Sequence, residues 1–235
     1  PILAAANAVI ELACERFTKN LRSDRTSGDL PALVNVADDN AQAGYIVENI
    51  LANREAGIRL KSQAVLFRTS SHSATLEVEL TRKNIPFVKF GGLKFLEAAH
   101  IKDVLAVLRW AHNLRDRVAG FRVAQLLPGI GPGTAAKLLD GIAESASAAA
   151  GLHGFKPPAS AAAHWQEFVE TMGTLHLSAA GWPAELDLAC RWYRPFMEQR
   201  YEDAAQREAD LTQLAQIAGS YPTRERFLTE LTLDP

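Results

Sequence analysis

The spacing of apolar residues changes near residue 91. Before it, three short runs read as strands: Ala32-Leu33-Val34-Asn35-Val36, Gln63-Ala64-Val65-Leu66-Phe67 and Pro86-Phe87-Val88-Lys89-Phe90. β-Branched and aromatic residues suit a pleated surface, and proline is tolerated at a strand's first position. Between them the apolar positions take helical spacing. A first helix, residues 1 to about 17, carries Ile2, Leu3, Ala6, Val9, Ile10 and Ala13 on one side. A second is capped by Asp38-Asp39-Asn40 and runs to about Glu55, with Tyr45, Ile46, Ile50 and Leu51 inward, until Gly57 closes it. A third follows Ser70, Ser71 and Ser73 and turns Leu76, Val78 and Leu80 inward. Alternation of strand and helix predicts a parallel sheet with right-handed crossovers, a doubly wound α/β layer.

After Gly91-Gly92 the pattern is helical only. Ile101, Val104, Leu105, Leu108 and Ala111 form an i, i+3, i+4, i+7 stripe, and Lys102 and Arg109 share another side of that helix with Ala106 between them. Asp116 is placed to cap a helix through about Leu127. Residues 145–163 are small, with two glycines and two prolines, and read as a loop. Helices are then expected over His164 to about Leu177, Pro183 to Arg200 and Asp203 to Ala218, with Trp165, Phe168, Trp182, Trp192, Tyr193, Phe196 and Tyr201 as core between them. The expected fold class is therefore α/β plus all-α.

The total charge of −2 hides an uneven distribution. Between Arg82 and Lys137 there are ten lysines and arginines against three acids, whereas residues 151–235 hold seven against twelve. A basic footprint confined to the middle fits a phosphate-binding surface, and equally a solvated face. Two cysteines, Cys14 and Cys190, lie far apart without a Cys/His cluster, so neither a disulfide framework nor a metal site is indicated. No run reaches the roughly 18 to 20 apolar residues needed to span a bilayer, and no signal peptide is seen, so a cytoplasmic setting without membrane partners is expected. Pro1 to Ala6 reads as the first turn of a helix, which predicts a piece of a longer chain.

Ligands of doubly wound sheets sit at the carboxyl ends of the strands. Those ends are Arg68-Thr69-Ser70 and Gly91-Gly92-Leu93-Lys94, whose cations, hydroxyls and glycines suit phosphate. Neither GxGxxG nor GxxxxGK[ST] occurs, so no nucleotide fingerprint is present. The most specific motif is LLPGIGPGTAAKLL, residues 126–139. Gly129 and Gly131 can take positive φ, Ile130 plugs the angle between two helices, and Pro132 suits a first helical position. The N–H groups of Gly131, Gly133 and Thr134 would face an anion at a helix N-terminus, with Lys137 on the same side as Thr134. The motif resembles the helix-hairpin-helix of proteins that grip duplex DNA by its backbone; a structural αα-corner is the alternative. No nucleophile, base and orienting acid can be named, and the histidines form no pair at metal spacing.

The stretch FRTSSHSATLEVEL, followed by IPFVKFGGLKFLEAAHIKDVLAVLRW, resembles the UvrD/Rep/PcrA helicases of superfamily 1A, as does ILAAANAVI. The resemblance implies a partial RecA-like motor domain 2A over residues 1–112 and a helical 2B domain over 113–235, with the GIG corner inside 2B. It implies an ATP-dependent 3′–5′ DNA helicase as the parent, using ATP and magnesium held elsewhere in that protein, with no cofactor and no catalytic residue in this chain. The chain alone is expected to be inactive. Single-stranded DNA would meet Arg68, Ser70, Gly91, Gly92, Lys94, Phe95 and Lys102; duplex would meet Gly129, Ile130, Gly131, Gly133, Thr134 and Lys137. The other partners implied are the remaining helicase domains. Ala74, Leu96, Ala98 and His100 depart from the family pattern, the last two removing charges of a surface ion pair. A non-enzymatic helix-hairpin-helix module and an AddA/RecB-like helicase-nuclease piece are the alternatives.

Overall fold

A computed structural model describes residues 2–13, 20–23, 30–69, 71–90 and 94–232. They contain eleven α-helices and two short 3₁₀ turns. The chain divides into two compact units, Pro1–Asp38 and Asp39–Pro235. In the first, α1 (Ile2–Glu11) buries no residue. The Asn7 side chain holds the backbone of Leu21 at both its N–H and its C=O, at 3.1 and 3.0 Å.

The expected α/β layer, a partial RecA-like doubly wound parallel sheet, is corrected: among the described residues there is no β-strand. The three predicted strands are stretches without a ladder, and most of their side chains stay in solvent, Leu66 at 93% and Phe90 at 86% exposure, while Gln63, Phe87 and Lys89 are partly buried. Strand propensity reports fitness for a pleated surface, and without neighbouring ladders a short apolar run has nothing to pair with. Two helices expected to cover that sheet pack on each other instead: α2 (Asp39–Glu55) lies against α3 (Ser71–Arg82). Ala43 and Val47 of α2 meet Leu76 and Leu80 of α3 and Ile85 in a small core of their own.

The larger core forms around α4 (Ala99–His112), ten of whose fourteen residues are buried. The stripe from Ile101 to Ala111 is fully internal, as its spacing predicts. Around α4 pack α5 (Arg117–Ala124), α8 (Ala159–His176), α9 (Ala184–Arg200), α10 (Ala204–Ala218) and α11 (Arg224–Thr232). Trp110, Phe168, Trp165, Trp192 and Phe196 form a continuous aromatic series with centroids 5.0 to 5.8 Å apart. Gly120 of α5 is required here: a Cβ would stand 2.6 Å from Leu139 and 2.7 Å from the Trp110 ring.

The loop expected over residues 145–163 is also corrected, since it contains α7 (Ala148–Gly154) and the start of α8. Alanine is the strongest helix former, and Ser147 caps the segment by accepting from the Ala150 N–H at 3.1 Å. Gly151 lets α7 lie close on α6 (Pro132–Glu144), where a Cβ would come within 2.6 Å of the Ile142 Cα.

Candidate nucleic-acid interface

The structure brings Lys94 and Lys102 to one groove of about 700 Å³, together with Arg109 and Arg122 and with Phe87 and Phe121 on its walls. Lys94 Nζ stands 4.7 Å over the Phe87 ring and 3.9 Å from Glu97. Lys102 is exposed, with no carboxylate in ion-pair range among the described residues. Burial disfavours the charged form of Arg109, and Asp116 partly offsets this. Phe95 is 6% exposed and packs into the core, so it supports the groove from behind.

Much of the basic window is occupied by internal partners. Arg82 pairs with Glu79, Lys89 with Glu77, Arg117 with Asp140 and Arg122 with Asp103. Arg115 donates to the carbonyls of Ala143 and Ser145 at the end of α6. The charge surplus in the sequence is thus largely a structural resource, and few cations, Lys102 and Lys137 among them, face solvent without an acidic partner.

Arg68 lies elsewhere, exposed at the edge of a second cavity of about 480 Å³ with Asp39, Gln42, His72 and Gln213. Ser70, Gly91 and Gly92 fall outside the described residues.

At the GIG corner, Leu126, Leu127 and Ile130 are buried and tie α5 to α6. Gly129 has φ +73°, as expected. Gly131 does not take positive φ: it is the N-cap of α6 at φ −87° and ψ 179°, open to any residue. Lacking a side chain, Gly131 gives no capping acceptor, and the first-turn amides of α6 keep the free donors of every helix start. Gly131, Gly133 and Lys137 are exposed, Thr134 is half-buried, and nothing lies within 4 Å of a Cβ built at Gly131 or Gly133. Ser160 of α8 fills the space beside Gly129 and donates to the Pro128 carbonyl at 3.2 Å.

The family described as "UvrD-like helicase C-terminal domain" matches residues 1–169. The chain belongs to that family. It is similar to the ATP-dependent DNA helicase PcrA of Staphylococcus epidermidis, 33% identical over 138 residues that make up 58% of this chain and 19% of that protein. PcrA of Staphylococcus aureus is 30% identical over the same length and shares. The matched segment is thus about a fifth of the length of these relatives.

In this UvrD-like C-terminal domain the side chains that organise the groove are acids, which the periodicity leaves unmarked. Glu77 is 4% exposed, and its carboxylate accepts from Ser73 Oγ at 2.6 Å, Lys89 Nζ at 2.8 Å and the Phe95 N–H at 2.6 Å. Asp103, 3% exposed, accepts from Arg122 Nε and the Tyr193 hydroxyl, both at 2.7 Å. Burial, with the charge of Asp103, pushes the Tyr193 phenol far above its usual range. His100 is likewise internal. Arg207 can only donate, so Nδ1 of His100 accepts at 2.9 Å and the Nε2–H donates to Asp210 at 3.0 Å. The position at which the sequence departs from the family pattern therefore joins α4 to α10. In Leu76-Glu77-Val78-Glu79-Leu80 two acids alternate with apolar residues, and only the fold separates the buried Glu77 from the half-exposed Glu79.

The described residues hold no group of three or more His, Cys, Asp or Glu that could bind a metal ion. The sequence also contains no GxxxxGK[ST] phosphate-loop pattern. None of the helices described is long and apolar enough to cross a membrane.

Proposed function

We propose that this chain is the part of an ATP-dependent 3′–5′ DNA helicase of the UvrD/Rep type that offers surfaces to DNA without performing the ATP chemistry. Residues up to about 112 would belong with the strand-tracking domain 2A, and residues 113–235 with the duplex-contacting domain 2B. ATP and magnesium would be bound by other parts of the parent. The observation that carries the reading is the groove, where Lys94 and Lys102, named from sequence as single-strand contacts, are found together with Arg109 and two phenylalanines. Cations that follow a backbone, beside aromatic faces for bases, are the equipment of sequence-tolerant single-strand binding. Arg68 and Ser70 would extend that track, together with Gly91 and Gly92, and Phe95 would back it. The GIG corner would hold a duplex phosphate on the amides of Gly131, Gly133 and Thr134 with Lys137 near the next, Gly129 and Ile130 setting the turn.

The test is binding of a labelled oligothymidylate over a salt series. Each phosphate contact removed should lower the slope of log K against log salt by about 0.7. Lys102→Ala is expected to show this with unchanged melting. Parental affinity and slope in Lys102→Ala would make Lys102 a solvated side chain. For the corner, Thr134→Ala with Lys137→Glu should weaken duplex binding and spare single-strand binding. Equal duplex binding by parent and variant would leave the corner a packing device.

A further inference from the structure

Glu77 does more than neutralise a lysine. A buried ion pair is on average no more stabilising than a well-packed apolar pair of the same volume. Burial alone therefore gives no reason for a carboxylate at 4% exposure facing a Lys89 side chain at 5%. What an apolar side chain cannot do is accept hydrogen bonds, and both oxygens of Glu77 are used. Oε1 takes Ser73, one turn back on α3, and Lys89; Oε2 takes the backbone N–H of Phe95. That amide belongs to the peptide bond joining Lys94 to Phe95.

Lys94 is consequently held at both ends. Its carbonyl side is fixed through the Phe95 amide, and its ammonium lies over Phe87, two residues from the Lys89 that Glu77 also grips. The same carboxylate lines the groove into which Lys94 projects.

We propose that Glu77 is a positioning residue for the nucleic-acid groove, setting the backbone and head of Lys94 where a strand phosphate can reach it. This inference rests on the reading of the groove given above. Glu77 touches no ligand itself; it acts through Phe95 and Lys89.

The test uses the 235-residue chain with a fluorescein-labelled oligothymidylate and compares two paired replacements. Glu77→Leu with Lys89→Met removes both charges together, which spares the fold a lone buried ion, and also removes the acceptor for the Phe95 amide. Glu77→Gln with Lys89→Met removes the same charges but keeps a carbonyl for that amide. The Leu/Met chain should lose about 0.7 from the salt slope, as Lys94→Ala does, and adding Lys94→Ala to it should lose nothing more. The Gln/Met chain should recover the parental slope. Hydrogen exchange at the Phe95 amide should be fast in Leu/Met and slow in Gln/Met, with both chains cooperatively folded at the assay temperature. If Lys94→Ala lowers the slope while Leu/Met keeps the parental one, Glu77 has no positioning role and the groove reading survives. Should Lys94→Ala itself leave the slope unchanged, the groove reading falls and the inference falls with it.

Discussion

Asp103→Ala is expected to be among the costliest single changes at the surface of α4, and its size follows from two hydrogen bonds of unequal fate. Tyr193 is fully buried, and the oxygen partner that its hydroxyl has in the structure is Asp103 Oδ2 at 2.7 Å. Truncation strands that hydroxyl away from water, at about 1–3 kcal/mol. Arg122 also loses Oδ1, but its side chain is 40% exposed and can turn to solvent, so its share is about 0.5–1 kcal/mol. Arg200, at 3.9 Å and 43% exposure, adds little. The total is about 3 kcal/mol, or a fall in Tm of roughly 6–12 °C for a body of this size. Urea unfolding followed by the fluorescence of the buried tryptophans measures it. Tyr193→Phe should cost only about 1 kcal/mol, because the acid keeps Arg122. The double variant should be more stable than the sum of the two losses by about 1–2 kcal/mol, since the stranded hydroxyl is then absent. A loss below about 1 kcal/mol in Asp103→Ala, or strict additivity with Tyr193→Phe, would refute this account of the site.

Three further perturbations probe Gly129, Gly133 and Cys190. Gly129→Ala must place a Cβ at positive φ and 1.9 Å from Ser160 Oγ, and should destabilise by about 2 kcal/mol or more. Gly133→Ala meets open space inside a helix and should gain about 0.5–1 kcal/mol while narrowing the approach to the α6 amides, so thermal melts and duplex titrations should move in opposite directions. Burial pushes the Cys190 thiol up to about 12, with Asp187 and Glu208 adding to it. In a Cys14→Ser chain, iodoacetamide should therefore react only on unfolding. Because the folded value lies above the unfolded one, the thiol's contribution to stability is full below about pH 8.5 and is lost as pH rises toward 12. Rapid alkylation of the native chain at neutral pH would overturn the assignment.

Helix periodicity was readable residue by residue because it depends only on which positions must leave water. Ile101 to Ala111, the cap at Asp116, Pro132 at the start of α6 and the aromatic core of α8 and α9 all follow from spacing and local chemistry. Three matters were settled only in three dimensions. Strand propensity at Leu66 and Phe90 produced no sheet, because a ladder needs partners that local sequence cannot supply, and α2 and α3 buried each other's faces instead. The surplus of cations between Arg82 and Lys137 was divided into structural and available members by acids such as Glu77, Glu79 and Asp140, all three of which lie outside that window. Glu77 and Asp103 became organisers because folding placed donors from distant segments around them, Phe95 and Lys89 for one, Arg122 and Tyr193 for the other. Local spacing determines what a helix hides; which buried carboxylate meets which donor is decided only when the helices pack, since Asp103 and Tyr193 are 90 positions apart.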